Sequence, residues 1–428
     1  MTDETAVPAH AARLLAELGC AARPQDAAGH PALSWRRSGL MAVTGRPGDG
    51  GLMCPAALCA AADAALGALK ALTPNPERLP ASGALLLGER ARLMGLQPQG
   101  RVSPNGSCRL LVFADGQTAA LNLARSEDWD LLPVLLACDD VSTWVAVEHR
   151  CHQLDAAETV ALGIELGLPI ALNRPPRPID RLFQAAGEGR SYPTRPPFVV
   201  DLSALWAGPL AGSLLAMAGA QVVKVEAVTR PDGARNGDRA FFDLLNGGKR
   251  SVALDFSAVD DRARLRALVD RADIVIESSR PRALRRLGID RDASVARGVV
   301  WIAITAHDDP DRVGFGDDAA VEAGLATMMK EAWGEAMFAG DAIADPLTGL
   351  HAALGGWAAW RAGGGRLVAL SLSRTVGHAI GAGFASDDRL ASWQAMARAD
   401  RAPLSPLRTP ARPAANLGAD NDRIFAQC

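Results

Sequence analysis

The sequence predicts an α/β fold built on a doubly wound parallel sheet, and three observations carry that prediction. Short β-branched runs recur between Phe198 and Leu372, helical segments rich in Ala, Leu and Arg lie between them, and prolines bound the first run. Short strands alternating with helices imply a parallel sheet covered on both faces.

The first strand is Phe198-Val199-Val200-Asp201-Leu202. Gly208-Pro209 then opens an apolar helix through Ala218, with proline at a favourable first-turn position. Gln221–Glu226 is the next strand, followed by Asp273–Glu277, Val299–Ile304 and Leu367–Leu372. The turn after the first strand, Ser203 to Pro209, carries neither a G-x-G-x-x-G nor a G-x-x-x-x-G-K-[ST] pattern, which argues against ordinary dinucleotide or P-loop binding. A doubly wound sheet still places ligands at the carboxyl ends of its strands. A nucleotide-like ligand held in another way fits that geometry.

The chain has 428 residues, 49% hydrophobic and 22% charged, with a formal net charge of -3. Its length allows two or three domains. Pro-rich stretches at 174–178 and 192–197 read as an extended linker, and a second Pro/Ala/Arg-rich stretch runs from Arg401 to Pro413. The expected organisation is therefore 1–190, 197–400 and a tail, 401–428. Near-neutral charge gives no reason to expect nucleic acid or an acidic membrane surface as partner. Every apolar run is cut short of a membrane span by Arg, Asp or Gly, and Met1-Thr2-Asp3-Glu4 lacks a signal-peptide pattern. A cytoplasmic location is expected. The seven cysteines form no CxxC pair; Cys151-His152 stands without a second ligand pair, so no metal is expected.

Four segments carry a resemblance. Residues 199–235 (VVDLSALWAGPLAGSLLAMAGAQVVKVEAVTRPDGAR), 244–256 (LLNGGKRSVALDF), 273–290 (DIVIESSRPRALRRLGID) and 340–360 (GDAIADPLTGLHAALGGWAAW) occur in the order and spacing of the class III CoA-transferases. In these motifs the chain resembles that family, the CaiB/BaiF type that includes formyl-CoA transferases. The resemblance implies a Rossmann-like large domain that binds CoA, a second, smaller α+β domain, and a homodimer. Asp345 matches the family's nucleophilic aspartate. Leu205, Trp206 and Ala207 match its first CoA-contacting turn, Arg235 and Arg286 the arginines near the CoA phosphates, and Ser278 and Ser279 backbone contacts near the adenosine half, where the family usually has Asn-Phe. The implied reaction moves CoA from an acyl-CoA to a small carboxylic acid through an aspartyl intermediate. CoA is then a substrate, with no permanently bound cofactor.

The first half resembles the family in a different order. Residues 38–72 are similar to the segment 323–360, with Ala64–Gly67 over Ala352–Gly355. On that register Ala57 stands where Asp345 does. Residues 107–136 resemble the family's small domain, and 417–425 its C-terminus. A rearranged duplication follows, in which a degenerate copy's tail precedes an intact large domain.

Several of these residues have blander readings. Asp345-Pro346 followed by Leu-Thr-Gly-Leu is a good helix start, with Asp345 as N-cap; a helix N-terminus would also keep a nucleophilic carboxylate ionised. Arg235 and Arg286 could be solvated, Lys249-Arg250 beside Gly247-Gly248 reads as a turn with solvated charges, His351 as a packed core histidine, and Trp206 as core or pocket wall. Two rival functions remain. One is a 2-methylacyl-CoA racemase, which needs a His-Asp dipeptide where this chain has Asp317-Asp318, with His307 too far upstream to replace it by alignment. The other is a non-catalytic CoA-binding protein.

Overall fold

In the strands of the large sheet, alternate side chains enter two different cores, as a period of two requires. Val199, Ile274, Ile276, Val300 and Ile302 face one set of helices. Val200, Val275, Trp301 and Ala303 face the other. The computed structural model describes residues 6–22, 24, 29–183, 195–383 and 385–426; the predicted linker residues Tyr192–Thr194, the acidic start and Cys428 lie outside them.

Among the described residues, nine strands form two sheets. The smaller is antiparallel and joins β1 (Cys108–Val112), β2 (Thr118–Asn122) and β3 (Ile170–Leu172) in that order. Leu111, Leu121 and Ile170 pack under the small domain's own helices, while Cys108, Leu110 and Ala120 pack on Val321, Ala326 and Phe338 of the second half. The larger sheet contains β4 (Phe198–Asp201), β5 (Gln221–Ala227), β6 (Arg250–Leu254), β7 (Ile274–Glu277), β8 (Val300–Thr305) and β9 (Arg366–Ser371). All its pairings are parallel, in the order β6-β5-β4-β7-β8-β9. Both expected architectures, the doubly wound sheet and a smaller α+β unit, are present.

That strand order puts a topological switch between β4 and β7, because the chain leaves β4 in one direction and returns to the opposite side. The crevice outside the carboxyl ends of two such strands is where doubly wound sheets hold ligands.

The two halves share one hydrophobic core. The helix Leu58–Leu72 packs against the long helix Ala344–Arg361, and Leu66, Leu69, Leu350, Leu354 and Trp357 belong to the same buried cluster. The segment before residue 183 lies along the second half, with the Arg177 and Ile179 amides donating to the Ala323 and Gly377 carbonyls. The C-terminal tail returns to β6: Ser251 N donates to Asp420 and Ala253 N to Asn421. No helix among the described residues is long and apolar enough to cross a membrane.

One local expectation is overturned. Lys249 is buried, at 4% exposure, rather than solvated. Its ammonium donates to Asp201 (2.8 Å), the Pro209 carbonyl (2.8 Å) and Asn246 (3.0 Å). Three acceptors, one of them ionised, stabilise a charge that burial alone would expel. Burial lowers Lys249 to about 8, with Asp201 opposing the drop.

Candidate active site

The turn after β4 is fixed by buried charge. Asp201 accepts hydrogen bonds from the Ser203 amide (3.0 Å) and the Ser203 hydroxyl. Lys224 donates to the Ser203 carbonyl (2.9 Å) and pairs with Asp232 (2.8 Å). Asp232 in turn accepts the Leu205 amide (2.9 Å). The turn so held places Leu205 at φ +69°, a region costly for a branched side chain. Leu205 is exposed, Trp206 is buried and Ala207 begins the helix Ala207–Ala218. Across the switch, Ser278 and Ser279 follow β7, and the Ala204 amide donates to Ser278 Oγ (3.4 Å). Ser279 Oγ donates to Glu277 (3.3 Å). The fold thus sets the 203–207 turn beside Ser278 through Ala204, with Ser279 next along the chain, while Trp206 turns into the protein.

The two arginines differ. Arg235 is half-buried, pairs through two nitrogens with Glu226 (2.8 and 2.6 Å) and stacks on Phe242. Arg286 is exposed at the end of the helix Pro281–Arg286.

Asp345 lies in the first turn of Ala344–Arg361, but it is not the cap: Ile343 holds that position and no side-chain capping bond forms. Its amide donates to the carbonyl of Ala342 (3.0 Å), which itself sits at φ +41°. The Asp345 carboxylate instead faces Gly316, where a Cβ would overlap Oδ2. Only glycine leaves it room.

Around Asp345 the structure assembles a cluster that spacing along the chain does not announce. Asp317 accepts hydrogen bonds from the Ala342 amide (2.8 Å) and Asn105 Nδ2 (2.9 Å). Asp341, fully buried, takes both nitrogens of the Arg90 fork at 2.6 Å and Asn105 at 3.1 Å. The Arg90 guanidinium lies 4.5 Å over the Trp206 ring, which meets Phe241 edge-on. Trp206 is therefore both core and site wall. Asp318 accepts from the Phe315 amide (2.9 Å) and Asn122 Nδ2 (3.2 Å), and its other oxygen faces His307 Nε2 at 3.2 Å. His307 Nδ1 is bound to Glu322, which Arg312 also grips (2.6 Å). Arg90, Asn105 and Asn122 all come from the first half.

Burial pushes the Asp345 carboxyl up to about 7; Arg90 opposes this, while Asp317, Asp318 and Asp341 add to it. Asp317 also rises to about 7, from burial and then from Asp341. The helix N-terminus does not hold Asp345 in the usual carboxylate range: a dipole worth roughly 0.3–1 kcal/mol is outweighed by desolvation of the half-buried carboxyl and by three carboxyl neighbours. His307 rises despite its burial, through its bonds to Asp318 and Glu322.

Beside this cluster, at the carboxyl ends of β8 and β9, lies a cavity of about 490 Å³ whose lining includes Arg174, Arg177, His307, Arg312 and Arg374.

The family model for CoA-transferase family III matches residues 198–426. An acyl-CoA transferase of Fusarium pseudograminearum is 31% identical over 36% of this chain and 38% of its own. A succinate–glutarate CoA-transferase of Agrobacterium fabrum is 30% identical over 36% of this chain and 43% of its own. A succinyl-CoA–D-citramalate CoA-transferase of Chloroflexus aurantiacus is 27% identical over 46% and 50%. The chain thus spans half or less of the length of these curated relatives. The crystal structure of a CaiB/BaiF family protein from Brucella suis is 26% identical with a TM-score of 0.38, covering 51% of this chain and 60% of that one.

Proposed function

The chain belongs to CoA-transferase family III, and we propose that it moves coenzyme A from an acyl-CoA to a small carboxylic acid, with Asp345 as the covalent carrier. The observation that carries this reading is the Asp345 carboxylate itself, set against Gly316 on a strained loop-to-helix junction and raised to about 7 by its surroundings. A carboxylate so placed is ionised enough to attack and is a stronger base than a solvated one. Asp345 attacks the thioester carbonyl, the C–S bond breaks, CoA leaves as thiolate and a mixed anhydride remains. The thiolate attacks the aspartyl carbonyl and releases the donor acid, leaving an aspartyl-CoA thioester. The acceptor carboxylate displaces CoA to form a second anhydride. CoA then attacks the acceptor's acyl carbon and frees Asp345.

The crevice between the 203–207 turn and Ser278-Ser279 suits the nucleotide half of CoA, with exposed Arg286 available to phosphate. Arg235 enters that role already paired with Glu226. Arg174 and Arg374 in the cavity suit a carboxylate acceptor; Asp308, Asp309 and Glu322 share its lining, with Arg312 paired to Glu322 and Arg177 near Asp308. A racemase reading finds weaker support. His307 is the one histidine at the cluster, but carboxylates occupy both its nitrogens and raise its pKa, so it offers no lone pair for an α-proton.

The test is mass spectrometry after incubation with a panel of acyl-CoAs and a hydroxylamine quench. A hydroxamate on Asp345 is expected, absent from D345A, which keeps its CoA affinity. CoA binding without an adduct from any donor would favour a non-catalytic binder.

A further inference from the structure

Away from the crevice, three histidines that no motif connects meet inside the protein. His10 lies on the first helix (Ala6–Glu17), His351 on the helix that carries Asp345, and His378 on the helix Leu372–Gly381. His351 and His378 are fully buried, and His10 is 6% exposed. One ring nitrogen from each lies within 4.8 Å of the others. The His10 and His378 rings are 5.0 Å apart, and those of His351 and His378 6.1 Å. Glu17 joins them, with Oε1 3.5 Å from His378 Nε2.

The polar atoms at this point lack partners. Nε2 of His10, Nε2 of His351, both nitrogens of His378 and Oε1 of Glu17 are buried without a hydrogen bond. Interiors pair nearly all such atoms; apart from the 3.5 Å approach of His378 Nε2 to Glu17 Oε1, Nε2 of His10, Nε2 of His351 and Nδ1 of His378 are left without partners, and such a set calls for a ligand. At His351 and Glu17 the remaining atoms are engaged in ways that aim the orphans. His351 Nδ1 donates to the Leu347 carbonyl (2.8 Å), which fixes the tautomer and leaves the Nε2 lone pair pointing inward. Glu17 Oε2 accepts the Leu182 (2.9 Å) and Phe183 (3.1 Å) amides, which holds Oε1 toward His378. His10 Nδ1 faces Arg13 Nη2 at 2.8 Å.

We propose that His10, His351 and His378, with Glu17 as fourth ligand or as the carboxylate partner of His378, form a structural site for a zinc-class divalent cation. Three imidazoles and a carboxylate are a zinc donor set. Tetrahedral ligation at about 2 Å brings the nitrogens to about 3.3 Å from one another, a closure of about an ångström or more that small rotamer changes supply. Loading changes one contact: His10 then carries its hydrogen on Nδ1, and partly exposed Arg13 turns outward. The ion would tie the helix Ala6–Glu17 to the helix Ala344–Arg361, in which Asp345 lies six residues before His351. The site does not depend on the reading of Asp345 as nucleophile.

The test is made on the full, untagged chain. Metal content is measured after exhaustive dialysis, then Co2+ is titrated into chelator-treated protein while its visible d–d bands are followed. One zinc per chain and the bands of tetrahedral cobalt are expected. H10Q, on a peripheral helix, should keep its circular dichroism and lose cobalt affinity by at least about tenfold. H351Q would disturb a fully buried helix and is the harsher variant. Folded wild-type protein with no stoichiometric metal and no cobalt bands overturns the proposal. So does cobalt binding that H10Q leaves unchanged.

Discussion

Alanine at position 316 probes the Asp345 pocket more directly than replacing the aspartate. The new Cβ would overlap Asp345 Oδ2 and stand 2.6 Å from the Ala342 carbonyl oxygen. Non-bonded heavy atoms settle at about 3.5 Å, so the Ala342 carbonyl must retreat by about 0.9 Å or the helix start must shift as far. Both neighbours belong to the short segment that delivers Asp345, the proposed nucleophile. A displacement of about 1 Å of a reacting group lowers a rate on the order of 100-fold, and overpacking of this kind destabilises by about 1–3 kcal/mol. The assay is the rate of acyl-CoA-dependent hydroxamate formation on Asp345, with urea unfolding of the same sample. G316A should lose capture rate while still binding CoA. G314A provides the contrast. Its Cβ would overlap His307 Nε2 and lie 2.6 Å from Asp318 Oδ2, so the strain falls on the His307 pair and the rate loss is smaller. A folded G316A protein that captures acyl groups as fast as wild type would refute the view that Gly316 sets the nucleophile's position.

Two further substitutions test the electrostatics. R90Q leaves Asp341 fully buried without its cation and should cost about 3–5 kcal/mol by urea denaturation; a loss near the roughly 0.5 kcal/mol of surface changes would count against it. Because Arg90 opposes the rise at Asp345, the midpoint of acyl capture with pH should also move up in R90Q. D317N should move that midpoint down, since Asp317 is one of the carboxyls raising Asp345. The sign for stability follows from Asp317's own shift, from 3.8 to about 7. The native state keeps a proton that the unfolded chain has lost between those values, so stability falls as pH rises across that window. In D317N that decline should shrink, and an unchanged stability–pH curve would contradict the assigned burial.

Strands buried on both faces announce themselves by composition, so five of the six in the large sheet are predicted to within a residue or two: 198–201, 221–227, 274–277, 300–305 and 366–371. β6 (Arg250–Leu254) hides behind the Gly247-Gly248 turn and a Lys-Arg pair that looks solvated. What buries Lys249 is Asp201, 48 residues away, and no local pattern reports such a partner. The roles proposed for Asp345 and the 205–207 turn come only from motif resemblance, because an aspartate before a proline reads equally well as a cap. Arg90 was not legible at all: its fork closes on Asp341 across 251 residues. His307 shows the limit of alignment, since a loop carries it to Asp318 from a position that no dipeptide pattern would accept.

The first half matters to the site although it offers no nucleophile of its own. On the register that sets Ala57 against Asp345, the helix Leu58–Leu72 falls over 346–360, nearly coextensive with Ala344–Arg361, against which it packs. Ala57 brings no carboxylate, but Arg90, Asn105 and Asn122 satisfy Asp341, Asp317 and Asp318. A fragment comprising 195–428 alone would lose those donors and expose the apolar face of Ala344–Arg361. Asp341 would then stand without its cation beside Asp345, raising the nucleophile's pKa further. Expressed alone, that fragment should bind dyes for exposed apolar surface and form no adduct. Co-expression with 1–183 should restore both the fold and capture at Asp345. If 195–428 folded cooperatively and captured acyl groups unaided, Arg90 and the two asparagines would be dispensable, and the site would belong to the second half alone.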